Sequence, residues 1–171
     1  CLFSIKKSSN KFLEIILISN RANISENIIK LVDNFIEIGD NILPSEARNI
    51  GSLFANGNWL YFLDDDSKVH KQTIEYILDI IATKKIFASR GKIIPLNDIE
   101  PKCPPHYDLG DEILINAKLT TEGNLLIKKS LFLSAGGFDP LMYAHEGLDL
   151  TYRCTKVIDS AKITYHPNII I

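Results

Sequence analysis

Asp64-Asp65-Asp66 follows directly on the apolar run Trp59-Leu60-Tyr61-Phe62-Leu63. A run of that length and composition reads as a buried strand, and in open α/β sheets ligands gather outside the carboxyl ends of strands. Three consecutive carboxylates there repel one another and lose solvation, and a cation relieves both costs. Asp64 and Asp66, two apart, face one side of an extended segment while Asp65 points elsewhere. A hard divalent ion such as Mg²⁺ or Mn²⁺ takes one or two such carboxylates and completes its shell with water and phosphate oxygens. An acidic turn that merely caps the following helix would carry the same residues. The rest of the chain has to decide between them.

The elements that must position this cluster are legible in outline. Leu2–Lys7 reads as the end of an amphipathic helix and Phe12–Ile18 as a buried strand. Ile24–Asp33 has helical spacing with Ser25 as a cap, and a helix over 45–50 starts at Pro44, with Gly57 as its stop. After Trp59–Leu63 come a helix carrying Ile74, Ile77, Leu78 and Ile81 on one face, and a strand over Ile86–Ile94 interrupted by Gly91. Pro95–Asp111 is a long proline-rich loop of the kind that often carries function, with His106-Tyr107-Asp108 as a lid candidate. Glu112–Leu119 alternates weakly as a strand, and Leu125–Ile127 is a short one. Lys128–Ala135 is a helix stopped by Gly136-Gly137, with Lys128 and Lys129 as surface charges. Leu148–Val157 is helical, and Lys162–Tyr165 is a last strand. Alternating strands and helices in the first half predict an α/β fold with a mostly parallel central sheet flanked by helices.

Composition narrows the partners. The 171 residues make one domain with a net charge of −2, so no basic excess is present to hold a nucleic-acid backbone. No run of about 18 apolar residues spans a membrane, and no leader is visible. Cys1, Cys103 and Cys154 match neither a zinc site nor a disulfide framework, which predicts reduced thiols in a cytoplasmic chain. The start at Cys1 and the apolar end at Ile169-Ile170-Ile171 read as cut from something longer.

Three stretches in order then carry a resemblance. Ala47-Arg48-Asn49-Ile50-Gly51 runs through Ala55-Asn56-Gly57 into the strand ending in Asp64-Asp65-Asp66. Glu122-Gly123-Asn124 precedes Lys128-Lys129. Gly136-Gly137-Phe138-Asp139 leads to Glu146-Gly147-Leu148-Asp149-Leu150-Thr151-Tyr152-Arg153. Together they resemble family 2 of the inverting glycosyltransferases over roughly residues 12–157. The resemblance implies a nucleotide-diphospho-sugar transferase (GT-A) fold. It also implies Mn²⁺ or Mg²⁺ on Asp66 and Asp64, bridging the diphosphate of a nucleotide sugar, with UDP as the expected nucleotide. Arg48, Asp64, Asp65, Gly123, Asn124, Gly136 and Gly137 would line the donor. A carboxylate from the Glu146–Asp149 segment would deprotonate an acceptor hydroxyl, which then attacks the anomeric carbon with inversion. The acceptor would be a glycan or lipid-linked saccharide, reached in the cytoplasm or by peripheral association with the inner face of a membrane.

The departures from the family pattern are informative. The position after Glu146, where the family carries its base, is Gly147. That leaves Glu146 or Asp149 as base, or an inactive chain; Glu146 is favoured because a glycine beside it admits close approach of a substrate, whereas Asp149 could simply cap its helix. At the end of the Phe12–Ile18 strand Ser19-Asn20 replaces an Asp that contacts the nucleobase, and a hydroxyl and an amide can still bond a pyrimidine edge. The family's first strand, expected ahead of Leu2–Lys7, is not found. His166 stands where a late metal ligand could, though a His before a Pro at a strand end is more often structural. Trp59 reads as core, and Tyr143 and His145 as residues able to touch the acceptor. Two rivals share the acidic strand end. One is a magnesium-dependent phosphohydrolase of haloacid dehalogenase type with Asp64 as nucleophile, which Lys68 and the late position of the strand disfavour. The other is a donor-binding module without turnover.

Overall fold

The computed structural model describes residues 1–8, 13–83, 86–96, 104–157 and 163–171. Helix α1 (Leu2–Ser8) precedes a two-stranded parallel sheet of β1 (Ile16–Asn20) and β2 (Asn34–Ile38), joined through the single-turn α2 (Glu26–Ile29). Helix α3 (Pro44–Phe54) leads into β3 (Trp59–Leu63), then α4 (Thr73–Thr83), β4 (Ala88–Lys92), β5 (Leu114–Ile115), β6 (Asn124–Lys128), α5 (Lys129–Ser134), α6 (Glu146–Val157) and β7 (Ile163–Ile170). A 3₁₀ turn covers Pro105–Tyr107.

Strands β3 to β7 form one sheet in the order β3-β6-β4-β7-β5. The expected α/β architecture holds, but this sheet is mixed. β6 lies antiparallel between β3 and β4, β5 runs antiparallel on the edge, and only β4–β7 pair in parallel. A run as short as Leu125–Ile127 carries no sign of its direction. What sets it is that β6 enters between two strands already joined by the α4 crossover.

Both faces of that sheet are apolar, as the β6 pattern requires. Leu125 and Ile127 pack into a cluster with Phe132, Phe138, Leu150 and Cys154, while Leu126 packs oppositely with Ile77, Ile80 and Ile169. Helices α5 and α6 therefore cover one face and α4 the other. Phe62 joins the first cluster, its ring 5.1 Å from Phe132 and 5.6 Å from Phe138, spacings that favour tilted aromatic packing. Cys154 sits in this core with its thiol pushed up to about 11 by burial, which leaves it an inert packing group.

Several boundaries differ from the sequence reading for identifiable reasons. The β1 strand starts at Ile16 rather than Phe12, and Phe12 itself lies outside the described residues. The helix expected over Ile24–Asp33 keeps its start after Ser25 but runs only to Ile29. Asp33 instead accepts the Ile15 amide at 2.8 Å, and β2, which no apolar run announced, begins at the next residue. Lys162, Cys103 and the 97–103 part of the proline-rich loop also lie outside the described residues. Strand β7 continues past Pro167 because the β4 register breaks there: Arg90 pairs Tyr165, but Lys92 pairs Ile170. A proline without an amide hydrogen is tolerated where a ladder is already interrupted.

Candidate active site

Helix α3 begins with the Leu43 amide donating to Glu46 Oε2 at 2.8 Å, behind Pro44 in its first turn. One turn on, Arg48 reaches the end of β3 and donates through Nη2 to Asp64 Oδ1 at 2.6 Å. Its guanidinium also lies 5.8 Å from the centre of the Phe138 ring. Asp64 rests on Gly123, where an added Cβ would overlap the carboxylate itself. The first two stretches of the resemblance thus meet at one point.

That point is a wall of a cleft of about 430 Å³. Thr120, Thr121, Glu122 and Gly123 continue the wall. Ile93, His106 and Tyr107 close a second side, and His145 and Leu148 a third. Thr121 Oγ1 is buried with no hydrogen-bond partner among the described residues. The His106 and Tyr107 side is fastened from below. Buried Arg90 donates to the His106 carbonyl and to Thr120 Oγ1, joining two walls. Burial lowers the proton affinity of that guanidinium.

Beside it Lys92 Nζ lies 3.0 Å from Asp108 and 2.8 Å from Asp111, and Tyr165 donates to the Gly110 carbonyl at 2.8 Å. Asp108 is held below the usual carboxylate range, first by the Gly110 amide and then by Lys92. Lys92 is held above its usual range, first by Asp111, against the opposing effect of its burial. The Asp108 contribution is therefore present above the ordinary carboxylate value near ~3.9 and lost as pH falls through its depressed folded value. The Lys92 contribution is complete below ~10.4 and lost as pH rises through its raised folded value. We expect stability, followed as the urea midpoint between pH 2 and 6, to fall below about pH 4, and Lys92→Met to flatten that acid limb. An unchanged limb in the variant would show that the Lys92 ion pairs carry none of the acid sensitivity.

The remaining expected site residues divide sharply. Asp65 and Asp66 are exposed and do not line the cleft, with no hydrogen bond or ion pair among the described residues. Asn124 is buried inside the sheet instead. Its amide donates to the Lys92 and Ile169 carbonyls at 3.0 and 3.2 Å and it accepts from Tyr61 at 2.8 Å. Gly136 and Gly137, at φ +85° and +70°, end α5 with left-handed turns. Asn49 then clamps Phe138 by its amide and carbonyl at 2.8 and 2.7 Å. Ser19 donates to the Ala22 carbonyl at 2.9 Å, and Asn20 pairs with the backbone of Ile42 at 2.6 and 3.3 Å. His166 is buried against α4, its Nδ1 2.8 Å from the Tyr76 hydroxyl. None of Asn124, Gly136, Gly137, Ser19, Asn20 or His166 lines the cleft; in each, a side chain or backbone turn is occupied with the fold.

The acceptor-side residues also separate. Asp149 is bound to Arg153 at 2.5 Å, and Arg153 donates onward to the Gly137 carbonyl at 2.7 Å and to the Ala135 carbonyl. That chain fastens α6 to the end of α5. Gly147 does not leave room for a substrate. A Cβ there would overlap the Leu119 carbonyl and lie 2.6 Å from Glu122 Oε1, which already accepts the Gly147 amide at 2.6 Å. The close approach is by the chain's own backbone. Glu146 opens α6, half-buried, between neighbours that line the cleft. Lys128 and Lys129 are more than surface charges: Lys128 lies over the Trp59 and Phe87 rings and Lys129 donates to the Ala55 carbonyl.

Among the described residues no group of three or more His, Cys, Asp or Glu side chains is placed to hold an ion by itself.

A mixed sheet with this strand order, flanked by helices on both faces, is a GT-A fold. The chain belongs to glycosyl transferase family 2, whose model matches residues 1–135. Over 117 residues it is 28% identical to an uncharacterized glycosyltransferase of Haemophilus influenzae (strain ATCC 51907 / DSM 11121 / KW20 / Rd), covering 61% of this chain and 38% of that protein. Its fold is similar to that of S. aureus TarS 1-349, with a TM-score of 0.72 at 14% identity over 97% of this chain and 55% of that one. It is also similar to GalNAc-T7, with a TM-score of 0.68 at 17% identity over 91% and 36%. The chain thus spans about half of TarS 1-349 and less of the others. Family membership sets aside the phosphohydrolase reading of Asp64. Among the described residues no helix is long and apolar enough to cross a membrane.

Proposed function

We propose that the chain binds a UDP-linked sugar in the cleft at the end of β3 and transfers the sugar, with inversion, to a hydroxyl of a glycan or lipid-linked saccharide. The observation that carries this is the convergence of Arg48, Asp64 and Gly123 with the start of α6 around one cleft. Arg48 is poised to exchange its Asp64 partner for a phosphate oxygen, a pairing its planar donors suit. A divalent ion held by Asp64 and Asp66 would neutralise charge on the departing diphosphate. TarS 1-349 in complex with UDP and with UDP-GlcNAc, and GalNAc-T7 with UDP, GalNAc and Mn²⁺, share the fold and support this donor class. A donor-binding module without turnover is the second reading. It draws on Gly147, which leaves the position after Glu146 without a carboxylate.

Calorimetric titration of UDP with and without Mn²⁺ tests the donor site. We expect binding that strengthens at least about tenfold with the metal, as one charge-assisted contact is worth, and that loses the gain in Asp66→Ala. UDP that fails to bind in either condition would refute the proposal.

A further inference from the structure

We propose that the general base of this chain is His145, the residue ahead of Glu146, and that the role has passed from a carboxylate to an imidazole. The inference rests on the transferase reading above.

Three carboxylates near the cleft are engaged within the fold. Asp64 is paired with Arg48, Glu122 accepts the Gly147 amide, and Asp149 is bound to Arg153. Gly147 supplies no side chain and is packed on the Leu119 carbonyl. Glu146 is not among the residues that line the cleft, whereas His145 is, and His145 is exposed. The second imidazole, His106, belongs to another wall and is held edge-on to Tyr107, with ring centres 4.8 Å apart.

Among the described residues, His145 is also one of three non-glycine residues at positive φ, at +64°. An ordinary side chain adopts that conformation at a cost. Here the turn sets His145 in the cleft wall while its carbonyl accepts amides of the first turn of α6, from Leu148 at 3.0 Å and Asp149 at 3.2 Å. A neutral imidazole takes protons readily near neutral pH. In the step assigned to it, one ring nitrogen removes the acceptor hydroxyl proton as the oxygen bonds to the anomeric carbon. The bond from that carbon to the diphosphate oxygen breaks, and its electron pair leaves with the nucleoside diphosphate. The imidazolium then returns its proton to solvent.

Glycine suits a positive φ, so His145→Gly keeps the fold and leaves a space the size of the lost ring. The experiment follows UDP release from UDP-GlcNAc, with water or added saccharide as acceptor, alongside calorimetric binding of UDP. We expect His145→Gly to bind UDP within about twofold of wild type and to turn over roughly a hundredfold more slowly, the scale of a positioned base. Added imidazole should then restore at least about a tenth of the lost rate. A His145→Gly rate near wild type, no rescue by imidazole, or a larger loss in Glu146→Gln would each overturn the assignment. Wild-type protein that binds UDP without turnover overturns it too, but leaves the donor site standing. Wild-type protein that does not bind UDP removes the transferase reading and the base with it.

Discussion

Putting an aspartate at Gly147, where the family pattern carries its base, is expected to unfold the protein rather than improve it. The Cβ of any side chain there would overlap the Leu119 carbonyl, a backbone atom that cannot swing aside. Overpacking of this kind costs about 1–3 kcal/mol. The new carboxylate would also sit against Glu122, whose Oε1 accepts the Gly147 amide at 2.6 Å, and like charges forced together in a half-buried site add to the penalty. Together we expect about 4 kcal/mol or more, a large share of the ~5–15 kcal/mol that holds a domain of this kind together. Equilibrium urea unfolding of Gly147→Asp beside Gly147→Ala separates the steric part from the charge. A Gly147→Asp midpoint equal to that of wild type would mean that α6 is seated differently from the structure. The substitution of glycine at this position is thus bound to the packing of α6 on the 119–122 segment.

The second large effect is expected at Gly123, and it should fall on binding instead of folding. An alanine there would displace the Asp64 carboxylate, but Asp64 is a half-exposed side chain that can rotate away. Stability should change by only about 1 kcal/mol, because the atoms the new methyl meets belong to a side chain that can move. Moving Asp64 breaks its 2.6 Å contact with Arg48 and withdraws one of the two carboxylates proposed above to hold a metal ion. Loss of one charge-assisted contact is worth about 1.5–3 kcal/mol, so Mn²⁺-dependent UDP affinity should drop roughly tenfold to a hundredfold. Calorimetry on Gly123→Ala, with thermal unfolding as the control, reads both quantities. Unaltered affinity would detach Gly123 from the donor site.

The two glycines show how much of this protein is written in local sequence. Trp59–Leu63 was legible as a strand to the residue, because five apolar side chains between Asn58 and Asp64 suit little else. The α5 helix ending at Gly136-Gly137 and the start of α3 at Pro44 were equally plain, since proline and glycine act through their own backbone preferences. The three motif stretches pointed to the family, and the acidic strand end pointed to where its ligand would gather.

Tertiary structure decided what each motif residue is for. Asn49, Asn124, Gly137 and Asp149 all sit in stretches that resemble a donor or acceptor site, yet their contacts close the fold around it. A motif records which residues occur together, and a buried amide that ties three strands occurs as regularly as one that binds a ligand. Strand direction, the tether from Arg90 and Lys92 to the His106 wall, and the seating of Gly147 on Glu122 depend on partners 16 or more residues away. No local periodicity encodes such distances. The sequence determined that this chain builds an acidic strand end in an α/β fold. Only the packing of α3, α6 and the 104–111 loop around it decided which side chains face the cleft.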